Sequence, residues 1–193
     1  MRGLPKPLRE KLPSLLLEAF SVVLAVLLAL AVDEWREERA DSALGKLAEE
    51  RITTEIRANL EELSASAARH DEILAGLDRS LAEVPAEGSQ LELAVNFSIA
   101  VLSSSAWETS RATQAVNHMD FDRVLRIARV YDLQDLYLEA QREVVRHISA
   151  LGSGGGLSPQ EILRGLRGRI STVQELEQGL LSAYREALAA ETG

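Results

Sequence analysis

From Leu12 to Val32 the chain runs through 21 residues with one charge, Glu18, in the order LPSLLLEAFSVVLAVLLALAV. As a helix rising about 1.5 Å per residue, this run covers about the 30 Å of a bilayer's hydrocarbon core. Everything after it is polar enough for water. The sequence therefore predicts an all-α protein: an N-terminal transmembrane helix over residues 12–35, then an antiparallel helical bundle over 36–193. A basic cytoplasmic tail occupies residues 1–11. Two other readings compete. Ala29-Leu30-Ala31 behind a basic start resembles a signal-peptide cleavage site and would release a secreted helical protein; a buried core helix is the third.

Charge sets the expected orientation. Residues 1–11 carry Arg2, Lys6, Arg9 and Lys11 against Glu10, a net +3 in a chain of net −9, so the remainder carries −12. The stretch Asp33 to Arg39 has two arginines and four acids. The excess of Lys and Arg before the apolar run places the N-terminus in the cytoplasm and the bundle outside, on a single-pass protein of the inner membrane. An acidic domain repels phosphate backbones, so nucleic acid is not an expected partner. With no cysteine, disulfides, iron–sulfur clusters, thiolate zinc sites and cysteine nucleophiles are excluded.

Glu18 inside the apolar run has two readings: a carboxylate at the cytoplasmic boundary, or a buried group paired with another transmembrane helix. Ser21, Ala25 and Ala29 share its helix face; the alanines read first as ordinary apolar filler, with a seat for a partner helix as the alternative. Trp35 stands where an interfacial aromatic belongs.

Apolar residues recur at Leu44, Leu47, Ile52, Ile56, Leu60, Leu63, Ala67, Leu74, Leu77 and Leu81, mostly three or four apart, which predicts one long amphipathic helix continuous with the anchor. Its opposite face, including Glu34–Glu38 and Glu55–Asn59, reads as solvated. Breaks are expected near 84–90, 103–120 and 152–158. Residues 91–102 read as a buried amphipathic helix and 107–119 as a short helix and turn. Asp120 reads as the N-cap of a helix from Phe121 to about Leu151. Ser158-Pro159-Gln160-Glu161 opens the last helix with a capping box, and Leu163, Leu166, Ile170, Val173, Leu176, Leu180, Tyr184 and Leu188 line one side of it.

Motifs of catalysis are missing. There is no H-E-x-x-H, no Glu-x-x-His and no G-x-S-x-G. Gly152-Ser153-Gly154-Gly155-Gly156 lacks the lysine and preceding strand of a phosphate loop and reads as a linker. Glu143 and His147, four apart, read as a surface contact. No catalytic residue, cofactor or metal is expected.

Between Trp107 and Tyr131 polar and aromatic residues mix without simple periodicity. Trp107, Glu108, Arg111, Gln114, Asn117, His118 and Tyr131 are candidates for a pocket or protein contact, with a packed helix–turn–helix as the plainer alternative. The run Glu18-x-x-x-Val22-Val23-x-Ala25-x-Leu27-x-Ala29 ending Asp33-Glu34-Trp35-x-Glu37 resembles the start of an uncharacterised bacterial family of single-pass membrane proteins. Members of that family have Gly at the position of Ala25 and Asn-Asn-Trp-Asn-Glu at Asp33 to Glu37. Trp107-Glu108 through Tyr131 resembles a second stretch of the same family, with Gln114 where the family tends to have Gly. The resemblance implies an uncleaved anchor and a helical domain, and it brings no assigned activity.

The expected function is that of a non-enzymatic interaction or scaffold protein in the bilayer, binding a membrane protein or forming homo-oligomers, coiled coils included. A ligand-sensing bundle that signals through a partner membrane protein is the alternative.

Overall fold

The computed structural model describes residues 6–83, 97–151 and 158–189; the side chains of residues 6–16 and of Leu151 are outside the described set. Residues 1–5, the break at 84–90, the first part of the 91–102 segment and the glycine linker lie outside it too. All regular structure among the described residues is helical: α1 (Lys6–Glu83), α2 (Ser105–Ala112), α3 (Phe121–Leu151) and α4 (Pro159–Ala189), with a 3-10 turn at Ala115–His118.

Helix α1 is one unbroken rod of 78 residues, as the continuous periodicity predicts. Its two halves differ in kind. Residues 17–40 are exposed all round, whereas from Gly45 onward a stripe turns inward through Ile52, Ile56, Leu63 and Leu77. Leu44 and Leu47, expected on that stripe, are 37% and 49% exposed; they flank Gly45, where the bundle begins, and lie off the inward face. Among the described residues no helix is long and apolar enough to cross a membrane. The opening of the apolar run, residues 12–16, lies outside the described side chains.

The cross-bundle contacts give the directions. Arg123 meets Glu49, Tyr131 meets Glu55 and Gln134 meets Asn59, so α3 runs parallel to α1. Glu177 meets His70 and Arg167 meets Asp78, so α4 runs antiparallel to both. Residues 97–104 and α2 descend between the two parallel helices. The expected helix at 91–102 is not found over its described part: residues 97–104 are non-helical and form a strap along the bundle. From Ser98, held at His70, to Ser103, held at Asn59, five steps of about 3.3 Å match the rise of eleven helical residues at about 1.5 Å. The strap is therefore fully extended and lies along the bundle axis.

Helix starts follow the sequence. The Asp120 carboxylate accepts from Arg123 N–H at 2.9 Å. Glu161 N–H donates to Ser158 Oγ at 3.3 Å, and Ser158 N–H to Glu161 Oε2 at 2.8 Å, the reciprocal bonds of a capping box.

One glycine is fixed by close approach. A Cβ on Gly45 would collide with the His118 carbonyl, 2.8 Å from its carbon, whereas at Gly76 nothing lies within 4 Å. Ordinary helix propensity favours Ala over Gly by about 0.5–1 kcal/mol. Gly76→Ala is expected to raise the melting temperature and Gly45→Ala to lower it. Equal shifts of the same sign in thermal denaturation would contradict the packing of the 3-10 turn on α1.

Candidate functional site

An extended segment inside a helical bundle has no neighbouring strand to bond its backbone, yet buried N–H and C=O groups must be paired. Side chains of α1 and α3 do this. Gln141 accepts from Ala100 N–H and donates to Ala100 C=O, both at 3.0 Å. Asn59 treats Ser103 the same way, at 2.9 and 2.7 Å. Each amide copies the two-bond pairing of one residue in an antiparallel ladder. Gln134 adds a donor to Ser103 C=O at 3.2 Å, and its own oxygen accepts from Tyr184 at 2.6 Å and from Asn59 at 3.1 Å.

The third clip is ionisable. His70 Nε2 is 2.8 Å from the Ser98 carbonyl oxygen. A carbonyl only accepts, so Nε2 carries a proton. Nδ1 faces Glu177 at 3.1 and 3.3 Å, and one proton is shared on that line whichever partner holds it. Tyr137 donates to the same carboxylate at 3.3 Å. His70 and Glu177 are 0% and 1% exposed, and Phe97 stacks on the imidazole with centroids 4.8 Å apart.

Below the strap, Glu55 collects four donors: Ser103 Oγ and Tyr131 OH at 2.7 Å, Ala106 N–H at 2.9 Å and Trp107 N–H at 3.4 Å. Ser104, at the N-cap of α2, makes no capping bond to the backbone. A carboxylate from α1 takes that place and faces the positive end of α2. Trp107 and Tyr131 stack nearly parallel, centroids 5.5 Å apart, and Arg111 lies 5.7 Å over the indole.

Burial pushes the phenols of Tyr131, Tyr137 and Tyr184 well above the usual tyrosine range; the Glu55 carboxylate adds to the first and Glu177 to the second. On the surface, the guanidinium of Arg167 beside Asp78 holds that carboxyl below its usual value.

The sequence-selected residues divide. Trp107, Arg111 and Tyr131 come together as packing around Glu55. Glu108 is exposed and accepts from Ser104 Oγ. Gln114 takes a left-handed backbone, φ 59°, the conformation that suits Gly. Asn117 is exposed, and His118 lies 3.5 Å from Asp41. Glu18, Ala25 and Trp35 stand far off on the exposed part of α1, where Arg39 lies 4.7 Å over the Trp35 ring. Glu143 turns to Arg146 and Arg169 rather than to His147. Glu55 and Asn59, expected on the solvated face, belong to the network. Asn59, His70, Gln134, Gln141 and Glu177 were missed, although each interrupts an apolar stripe at core spacing: His70 lies seven residues from both Leu63 and Leu77. Among the described residues no cluster of three or more His, Asp or Glu is placed to hold a metal.

Comparison with protein-family models, with curated proteins and with solved structures finds no match.

Gln141→Leu strips both bonds from Ala100 and is expected to destabilise the bundle by about 2–4 kcal/mol, since each orphaned buried group costs about 1–3 kcal/mol. Chemical denaturation measures the loss, and hydrogen exchange should show deprotection centred on residues 98–103. The three tyrosines are all the chain has. Their folded pKa values are raised, so their stabilising share is intact below about pH 10, where unfolded tyrosine ionises, and declines as pH rises further. Tyrosinate absorbance should therefore appear only with cooperative alkaline unfolding, tracked by circular dichroism. Titration of a phenol in the folded protein would contradict the burial.

Proposed function

We propose that this chain is a membrane-tethered, non-enzymatic helical protein that holds a partner, or further copies of itself, at the bilayer. In this reading the N-terminus is cytoplasmic and the bundle lies on the opposite side. What carries it is the exposure of α1. Leu17, Phe20, Val22, Val23, Leu24, Val26, Leu27, Leu28, Leu30 and Val32 are each 45–71% exposed. They include the consecutive trios 22–24 and 26–28, so they face every direction around the helix. A helix apolar on all sides belongs in lipid or among other helices, because leaving each such side chain in water forgoes about 1.5–3 kcal/mol. No other described part of the chain covers this one.

Glu18, with Ser21, Ala25 and Ala29 on the same face, is the proposed seat of a second transmembrane helix. Trp107 and Tyr131 spend their ring faces on each other and on the core. That favours an interaction protein over a sensor with a pocket in this segment.

The full chain is expected to stay in carbonate-washed membranes, and Glu18→Ala to stay there as well while losing most of its crosslinked oligomer or partner adduct. Release of the native chain into the soluble fraction, or a mature N-terminus near Val32, would overturn the tether. Unchanged crosslinking of Glu18→Ala would remove the role of the carboxylate.

A further inference from the structure

Asn59 and Gln141 hold the strap with side-chain amides, which do not titrate. His70 is different. Its Nε2 donates to the Ser98 carbonyl at 2.8 Å, and its Nδ1 faces the Glu177 carboxylate at 3.1 and 3.3 Å. Closing that line takes one proton. Without it the Nδ1 lone pair would meet carboxylate oxygens in a site shut off from water, where such repulsion is strong. The closed cluster therefore holds two protons, one on Nε2 and one between Nδ1 and Glu177. Glu177 from α4 and Tyr137 from α3, which donates to that carboxylate, are the titratable groups that meet there. The strap brings the Ser98 carbonyl and the Phe97 ring. The charged neighbours Arg69, Asp71 and Glu72 on α1, Asp135 and Glu139 on α3, and Glu175 on α4 are exposed.

We infer that His70 and Glu177 make the strap a proton-gated latch that loosens as pH rises. When residues 97–104 lift and water reaches the pair, a hydrated imidazole above about pH 6.5 keeps one proton, and a hydrated carboxylate above about pH 4.3 keeps none. Opening above about pH 6.5 therefore releases one proton. A proton bound in the closed state and lost in the open one weakens closure as pH climbs, by about tenfold in the opening equilibrium per pH unit. The pair's share in holding the strap is thus whole below about pH 6.5 and shrinks above it. The other two clips hold the same segment without titrating, so the pH dependence belongs to this one. The strap leads into α2, whose first turn is seated on Glu55. Lifting the strap uncovers the seam between α1 and α3 that Ala100, 1% exposed, fills when closed.

Hydrogen exchange on the full chain in detergent micelles reads the latch. The opening constant at the Ala100 and Ser103 amides is the ratio of measured to intrinsic exchange rate, followed from about pH 6 to about pH 9. It should be level up to about pH 6.5 and then climb about tenfold per unit. Glu177→Gln keeps an amide donor against Nδ1 and removes the shared proton, so its opening constant should stay level from about pH 7 to about pH 9. Nitrogen NMR of the imidazole in the unsubstituted chain gives a second reading that needs no variant to fold. At about pH 8, His70 Nδ1 should show a proton shared with Glu177 rather than a bare lone pair. An opening constant of the unsubstituted chain that does not change over this range, an equal climb in Glu177→Gln, or a bare Nδ1 at about pH 8 overturns the latch.

Discussion

The arrangement depends on backbone hydrogen bonding in the strap. Residues 97–104 descend extended through a bundle that offers no strand to pair with, and buried unpaired amides would cost more than the packing there returns. Gln141, Asn59 and His70 supply the missing ladder from two different helices. Replacing a helix by an extended crossover has a geometric consequence. The strap covers in five residues what a helix covers in eleven, so the chain returns in little space and α3 can start beside α1, parallel to it.

The polar groups are ordered along the axis. Nearest the apolar helix, Arg123 binds Glu49, Thr53 and the Ala187 carbonyl, joining all three long helices at the C-terminal end of α4, where a cation suits the helix dipole. Next comes Glu55 under α2, then the Asn59–Gln134–Tyr184 set, then His70–Glu177–Tyr137. Between them lie fully buried apolar side chains, Ile52, Ile56, Leu63, Ile127 and Leu180 among them, and beyond the last layer Leu166 and Ile170. The apolar layers supply the drive to fold. The polar ones restrict which pairing of helices and strap satisfies every donor at once.

Much of the fold was legible because it followed from periodicity and end chemistry. The long rod, the Asp120 cap, the Ser158 capping box and the α4 stripe each rest on interactions within a few residues. The strap was not legible. Leu-Glu-Leu-Ala-Val-Asn-Phe-Ser-Ile-Ala-Val-Leu has the apolar content of a buried helix, and periodicity does not separate such a helix from a buried extended segment. What decides it is the set of amides and imidazole at 59, 70, 134 and 141, 28 to 44 residues away for the bonds to the strap from His70, Gln134, Gln141 and Asn59. Those positions did carry a trace: polar residues at core spacing on amphipathic helices. Reading Asn59 with the solvated face hid it. The irregularity of the Trp107–Tyr131 segment reflects a short helix, a left-handed residue and a 3-10 turn packed in succession.

Register ties the two ends together. Because Gln141 and Asn59 each grip both backbone groups of one strap residue, a slip by one would turn those groups away from their amides and put Ile99 and Val101 inward. The same slip would drag the N-terminus of α2 off Glu55 and separate Trp107 from Tyr131. It would also shift the 3-10 turn whose His118 carbonyl lies against Gly45. Polar bonds in the middle of the bundle therefore fix the height at which Phe121 and the start of α3 stand relative to α1. A change that loosened the strap, even one at His70 far along the rod, would be felt at the tip facing the apolar helix, because the strap, α2 and the turn form one short tether between them.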